Sequence, residues 1–148
     1  MEEQSTESIS LIQTPYDLEG RELVCYPYLI TTLKISMPRP FLKPRIVFTV
    51  VTTDLVKGIA ARANMFPEAD KIHIQKSALV PPVISYEQAV SQARKLALKW
   101  IMYKFHVFRT PAIEIVQEQE SYKAFFFVET ENKRALVDSV KGLDRDDI

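Results

Sequence analysis

The segment Arg45-Ile46-Val47-Phe48-Thr49-Val50-Val51-Thr52-Thr53-Asp54-Leu55-Val56 is β-branched at every position from Ile46 to Thr53 except Phe48. Branching at Cβ stiffens χ1 and suits a pleated surface, so this run reads as a strand. Upstream, Leu23 to Ser36 is equally dense in Val, Tyr, Ile, Leu and Thr and reads as a second long strand. Between them Met37 to Pro44 holds three prolines and reads as a rigid eight-residue loop, which makes the pair a hairpin. Pro27 has no N–H to give a ladder. The first strand is therefore expected at a sheet edge, or bulged at Tyr26-Pro27-Tyr28.

Downstream, Gly58 to Asp70 suits a short helical turn limited by Pro67, and Ile72 and Ile74 alternate with His73 and Gln75 as in a short half-buried strand. Pro81-Pro82 closes the first half. Ser85 followed by Gln88 forms a capping box, with each side chain satisfying a backbone N–H of the other residue. It opens one long helix from Tyr86 to about Phe105, with Ala89, Ala93, Leu96, Ala97, Trp100 and Ile101 on one face. After Thr110-Pro111, Ala112–Gln119, the Phe-rich Ser121–Glu129 and Arg134–Val140 read as strands, the last two joined at Glu131-Asn132-Lys133. The expected fold class is α+β: an antiparallel sheet made from two hairpins or meanders, packed on one long helix.

At 148 residues and 47% hydrophobic the chain can fill one core. The first twenty residues carry five acids and no base and are expected to be a disordered acidic segment. Residues 21–143 then form a single domain, and the charged 144–148 a fraying tail. Residues 1–20 have neither the basic start nor the apolar run of a secretory signal. No apolar stretch approaches a membrane span, and Cys25 is the sole cysteine. These features point to a reducing, cytoplasmic setting.

Asp54-Leu55-Val56-Lys57-Gly58-Ile59 is echoed by Asp138-Ser139-Val140-Lys141-Gly142-Leu143, identical at four of six positions. The echo suggests a duplication with halves 21–80 and 84–143. In each copy the aspartate side chain can turn the chain onto nearby N–H groups, and the glycine can supply a positive φ. The stretches Ser85-Tyr86-Glu87-Gln88-Ala89 with Ala93, Tyr122-Lys123-Ala124-Phe125, and Val137-Asp138-Ser139-Val140-Lys141-Gly142 follow one another in residues 84–143. In this pattern the region resembles the PepSY domain family, with Lys141 where a Thr commonly precedes the glycine. The resemblance implies a non-catalytic, inhibitory or regulatory binding role and brings no binding residues with it.

The chemistry-bearing side chains are sparse. His73, His106 and Cys25 stand at no metal-ligand spacing, and neither a nucleophile elbow nor a phosphate-binding glycine loop is present. No cofactor or metal is expected. Glu114, Glu118, Glu120, Glu129 and Glu131 read as solvent-facing residues around the Phe-rich strand. From Leu96 on, the helix is apolar nearly all round, and Leu98, Trp100, Met102 and Phe105 are residue types that protein interfaces favour. With Tyr26 and Tyr28 at a strand edge they are the candidate partner-binding residues of a protein-binding or self-associating regulatory module. The chain carries no net charge, yet residues 34–62 hold six bases against Asp54 alone, and residues 91–109 hold five bases and no acid. Arg94, Lys95 and Lys99 are therefore the candidate contacts of a nucleic-acid or polyanion binder. The third alternative is an enzyme whose site assembles only in the fold.

Overall fold

The computed structural model describes residues 5–140 apart from Phe108 and Asn132. The expected tail at 144–148 and the second Lys-Gly pair, Lys141-Gly142, lie outside the described residues.

In chain order the elements are β1 (Thr6–Ile12), β2 (Leu23–Arg39), β3 (Leu42–Asp54), β4 (Ala60–Ala63), β5 (Ala69–Gln75), a 3₁₀ turn (Lys76–Ala78), α1 (Tyr86–Lys104), β6 (Ala112–Thr130) and β7 (Lys133–Asp138). The fold is α+β, with one seven-stranded sheet in the order β4-β3-β2-β6-β1-β5, and β7 also paired with β6. The pairings are antiparallel except β1 with β6, which bridge in parallel at Leu11↔Tyr122.

Five expectations need correction. Residues 6–12, placed in a disordered segment, form β1: Ile9, Leu11 and Ile12 are buried, and the strand pairs with β5 along its whole length. The acidity of the segment masked that short apolar alternation. Gly58–Asp70 contributes strand β4 in place of a helical turn. Ala112–Gln119 and Ser121–Glu129 are one strand of 19 residues, in which the register against β2 shifts between Thr32↔Gln117 and Leu33↔Ile115, leaving Val116 as the extra residue. The loop at 37–44 shrinks to a two-residue turn, Pro40-Phe41, because Arg39 pairs with Leu42; Pro38 and Pro44 fall at a register irregularity, where ladder donors are not required. Finally, β2 is an interior strand, between β3 and β6. Pro27 is tolerated because β3 pairing stops at Tyr28↔Asp54, and the Pro27 carbonyl on that side accepts from the Leu55 N–H at 3.0 Å.

The sheet cannot be flat. Its two edge strands β4 and β5 are five inter-strand steps apart, about 24 Å. Ala63 and Ala69 are joined by a connection that spans at most about 21 Å when fully stretched. The sheet therefore curls, and its concave face gathers Ile12 of β1, Ile30 of β2 and Ala63 of β4 into one cluster with Val50, Phe66 and Val140. The other face carries α1. Leu33, Ile35, Met37 and Val51 pack there against Ala93, Leu96, Ala97, Trp100 and Ile101. The capping box forms as expected, with Gln88 N–H donating to Ser85 Oγ at 3.1 Å and Ser85 N–H to Gln88 Oε1 at 2.9 Å.

Both aspartate turns also form locally. Asp54 Oδ1 accepts from the N–H of Val56 at 2.8 Å and of Lys57 at 3.0 Å, and Asp138 Oδ1 from Val140 at 2.9 Å. Gly58 takes φ +73°.

Candidate functional site

Two strands compete for the outer side of β6, and neither covers its beginning. β7 pairs with Phe125–Thr130, and β1 meets β6 at Tyr122. Among the described residues no strand pairs with Ala112–Glu118 on the side away from β2. That segment is an open strand edge of seven residues, with exposed Glu114, Val116 and Glu118 along it. Charged side chains on such an edge discourage indiscriminate pairing.

The helix runs beside this edge in the opposite direction. At its first residue, the Tyr86 hydroxyl donates to the Glu118 carboxylate, which pushes the phenol's pKa above its ordinary value. Two turns later Arg94 Nη1 donates to the Ile113 carbonyl at 2.9 Å. Between helix and strand lies a groove of about 450 Å³ lined by Glu87, Val90, Ser91, Arg94, Lys95, Leu98, Thr110, Pro111 and Ile113. Its helical wall follows from spacing alone, since 87, 90/91, 94/95 and 98 fall on one stripe, about 16 Å long at 1.5 Å per residue. The opposite wall is the chain re-entering the sheet after Pro111. The groove is thus apolar at Val90, Leu98, Pro111 and Ile113, with two cations and one carboxylate at its rim.

The residues singled out from sequence separate on this scaffold. Leu98, Arg94 and Lys95 share the groove; exposed Lys99 is not part of its lining. Met102 is exposed at the far end of the helix. Trp100 and Phe105 do not form a free stripe with it. Trp100 is 6% exposed in the core, Phe105 packs edge-on to it with ring centroids 6.1 Å apart, and Arg62 lies 3.9 Å above the indole. Only Trp100 and Ile101 of this end of the helix face the core, while Met102 and Tyr103 are exposed. Tyr28 is buried as well, and half-buried Tyr26 packs edge-on to Phe125. Tyr28 is flanked by Asp54 and Ser121, whereas Tyr26 lies past the end of β3, where the Cys25 and Pro27 carbonyls beside it accept from the Val80 and Leu55 N–H groups.

One constellation had no forerunner in the sequence reading. Lys123 is 1% exposed on β6, with Nζ 2.8 Å from Asp138 Oδ2 and 5.4 Å from the ring centroids of both Tyr28 and Phe125. The visible signal was its parity, since Lys123 alternates with Ser121 and Phe125 on one face of a strand. The pair fastens the end of β7 to β6. Cys25 is fully buried and its thiol is pushed up to about 11 by burial, which makes it a poor nucleophile. Among the described residues no group of three or more His, Cys, Asp or Glu could hold a metal ion, and no helix is long and apolar enough to cross a membrane. No family model, curated protein or solved structure matches this chain.

Proposed function

We propose that this protein is a non-catalytic binding module that captures an extended segment of a protein partner by adding it as a strand along Ala112–Glu118. The observation that carries this reading is an open strand edge lying beside a helix-walled groove. Backbone N–H and C=O groups of the edge, apart from the Ile113 carbonyl that Arg94 already holds, supply affinity for any extended chain. Because side chains alternate, every second residue of an added strand points toward Val90, Leu98, Pro111 and Ile113. Arg94 and Lys95 favour a segment that places a carboxylate at that rim. The resemblance of residues 84–143 to the PepSY pattern accords with a binding role, and the working compartment in this reading is the cytoplasm.

The test is selection of random extended peptides on the immobilised chain, followed by affinity measurement. Enriched peptides should alternate apolar residues and carry an acid, and they should lose binding to S91W, which fills the groove from an exposed helix position, and to L98E. Equal binding by S91W and wild type, or failure of any peptide to enrich, refutes the reading. Concentration-dependent dimerisation abolished by S91W would identify a second copy of the chain as the added strand.

A further inference from the structure

The turn joining β2 to β3 is chemically unlike the rest of the surface. Pro40 and Phe41 occupy the two central positions of a turn closed by Arg39↔Leu42. Phe41 has φ +61°, the only positive φ among the described residues outside glycine. A turn with proline first and a positive φ second calls for glycine or asparagine at that second position, and a bulky aromatic there is strained. The ring is also fully exposed, at 106%, and its neighbour Leu42 is 64% exposed. A residue that is strained and has no packing contact contributes nothing evident to folding. That combination points to a role outside the fold.

The surroundings say what it meets. Pairing of β2 with β6 ends at Ser36↔Ala112, while the hairpin continues through Met37, Pro38 and Arg39. The tip therefore overhangs β6 by about 10 Å at 3.3 Å per residue. Behind its apolar end sit exposed Arg39, Lys43 and Arg45, and exposed Lys104 and Arg109 lie at the same end of the molecule. Arg45 is placed there by its guanidinium, 4.6 Å from the Phe105 ring centroid at the helix end, and Arg109 by a hollow of about 430 Å³ that it shares with Pro38, Arg39, Pro40 and Phe41. No acidic residue occurs in 34–53 or in 88–113. Arg39 Nε donates to the Lys43 carbonyl at 2.9 Å across the turn, which with the prolines stiffens the tip.

We infer that this hairpin tip is an interfacial anchor for an anionic phospholipid surface. Phe41 and Leu42 enter the boundary between headgroups and acyl chains, a depth of about 5–10 Å that the overhang matches. The ring of bases stays at headgroup level, and the hollow between Arg39 and Arg109 faces the lipid phosphates. Two consecutive apolar residues at the extreme tip, with cations set back on both strands, complement a bilayer better than a base-paired groove, which needs polar groups at the contact itself. Arg39, Phe41 and Lys43 are not part of the peptide groove's lining, so variants at these positions test the anchor separately from the groove.

The test is co-sedimentation of the full chain with vesicles of phosphatidylserine and phosphatidylcholine, against vesicles of phosphatidylcholine alone. Binding should require the anionic lipid and weaken with salt. The variant F41G should lose partition at least about tenfold, the effect of withdrawing one buried aromatic, while its thermal midpoint holds or rises, because glycine relaxes the positive φ. The double variant R39Q/K43Q should lose about 25-fold, roughly fivefold per base. Equal partition onto both vesicle types, wild-type partition by F41G, or retention on duplex DNA without vesicle binding would each overturn the assignment.

Discussion

Removing the two partners of the Lys123–Asp138 pair should have unequal effects. Lys123 is 1% exposed and Asp138 is 38% exposed at the side chain. Asp138→Ala deletes the carboxylate 2.8 Å from Nζ and leaves an ammonium enclosed among Tyr28 and Phe125. Breaking a fully buried pair costs about 3–5 kcal/mol. Water reaches the aspartate side of this one, so about 2–3 kcal/mol is the better figure. Loss of the hydrogen bond from Val140 N–H to Oδ1 adds about 1 kcal/mol. Lys123→Met removes the charge together with the need for a partner. Methionine nearly matches the volume, and Asp138 is wet enough to rehydrate, so the net change should lie within about 1 kcal/mol of zero. With a urea dependence of about 2 kcal/mol per molar for a chain of this size, Asp138→Ala should lower the midpoint by about 1.5–2 M and Lys123→Met by under about 0.5 M. Urea titration followed by Trp100 fluorescence measures both. A larger loss for Lys123→Met than for Asp138→Ala would refute the reasoning, because it would mean that the ion pair itself is the stabilising element.

Two further outcomes follow from burial. Trp100→Ala should cost about 3–5 kcal/mol as a core truncation, whereas Met102→Glu, at an exposed position on the same helix, should change stability by less than about 0.5 kcal/mol; comparable losses in thermal denaturation would mean that the helix end is packed differently. Cys25 should resist thiol reagents until the protein unfolds. Its folded pKa is about 11 against an ordinary 9.0, so its protonated form favours the fold fully below pH 9. That contribution should fade as the pH rises from about 9 to about 11, where the unfolded thiol ionises first. Stability that is flat across this window in wild type, or equally sloped in Cys25→Ala, would contradict it.

Much of the local structure was legible because it depends on neighbours in the chain. The β-branched run from Ile46 to Thr53 shows its strand preference in its own side chains, the Ser85/Gln88 box and the Asp54 and Asp138 turns close hydrogen bonds within a few residues, and each appears as expected. Leu98 was legible as a partner-binding candidate, and Arg94 and Lys95 as candidates of the separate anion-binding reading. Their common groove was not, because its other wall is Pro111 and Ile113, fixed only when β6 docks on β2. The free edge of Ala112–Glu118 was equally hidden, since it depends on where β1 and β7 stop.

Fold class, the long strands β2 and β3, and the capped helix were thus written in the sequence: period, branching, caps and turns are properties of contiguous residues. Which side chains would be free was decided by tertiary contacts. Trp100, Tyr28 and Lys123 are buried, and Phe41 is not, because burial depends on strand order and on a curl imposed by the short β4–β5 connection. Those constraints join residues far apart in the chain, and no local pattern encodes them.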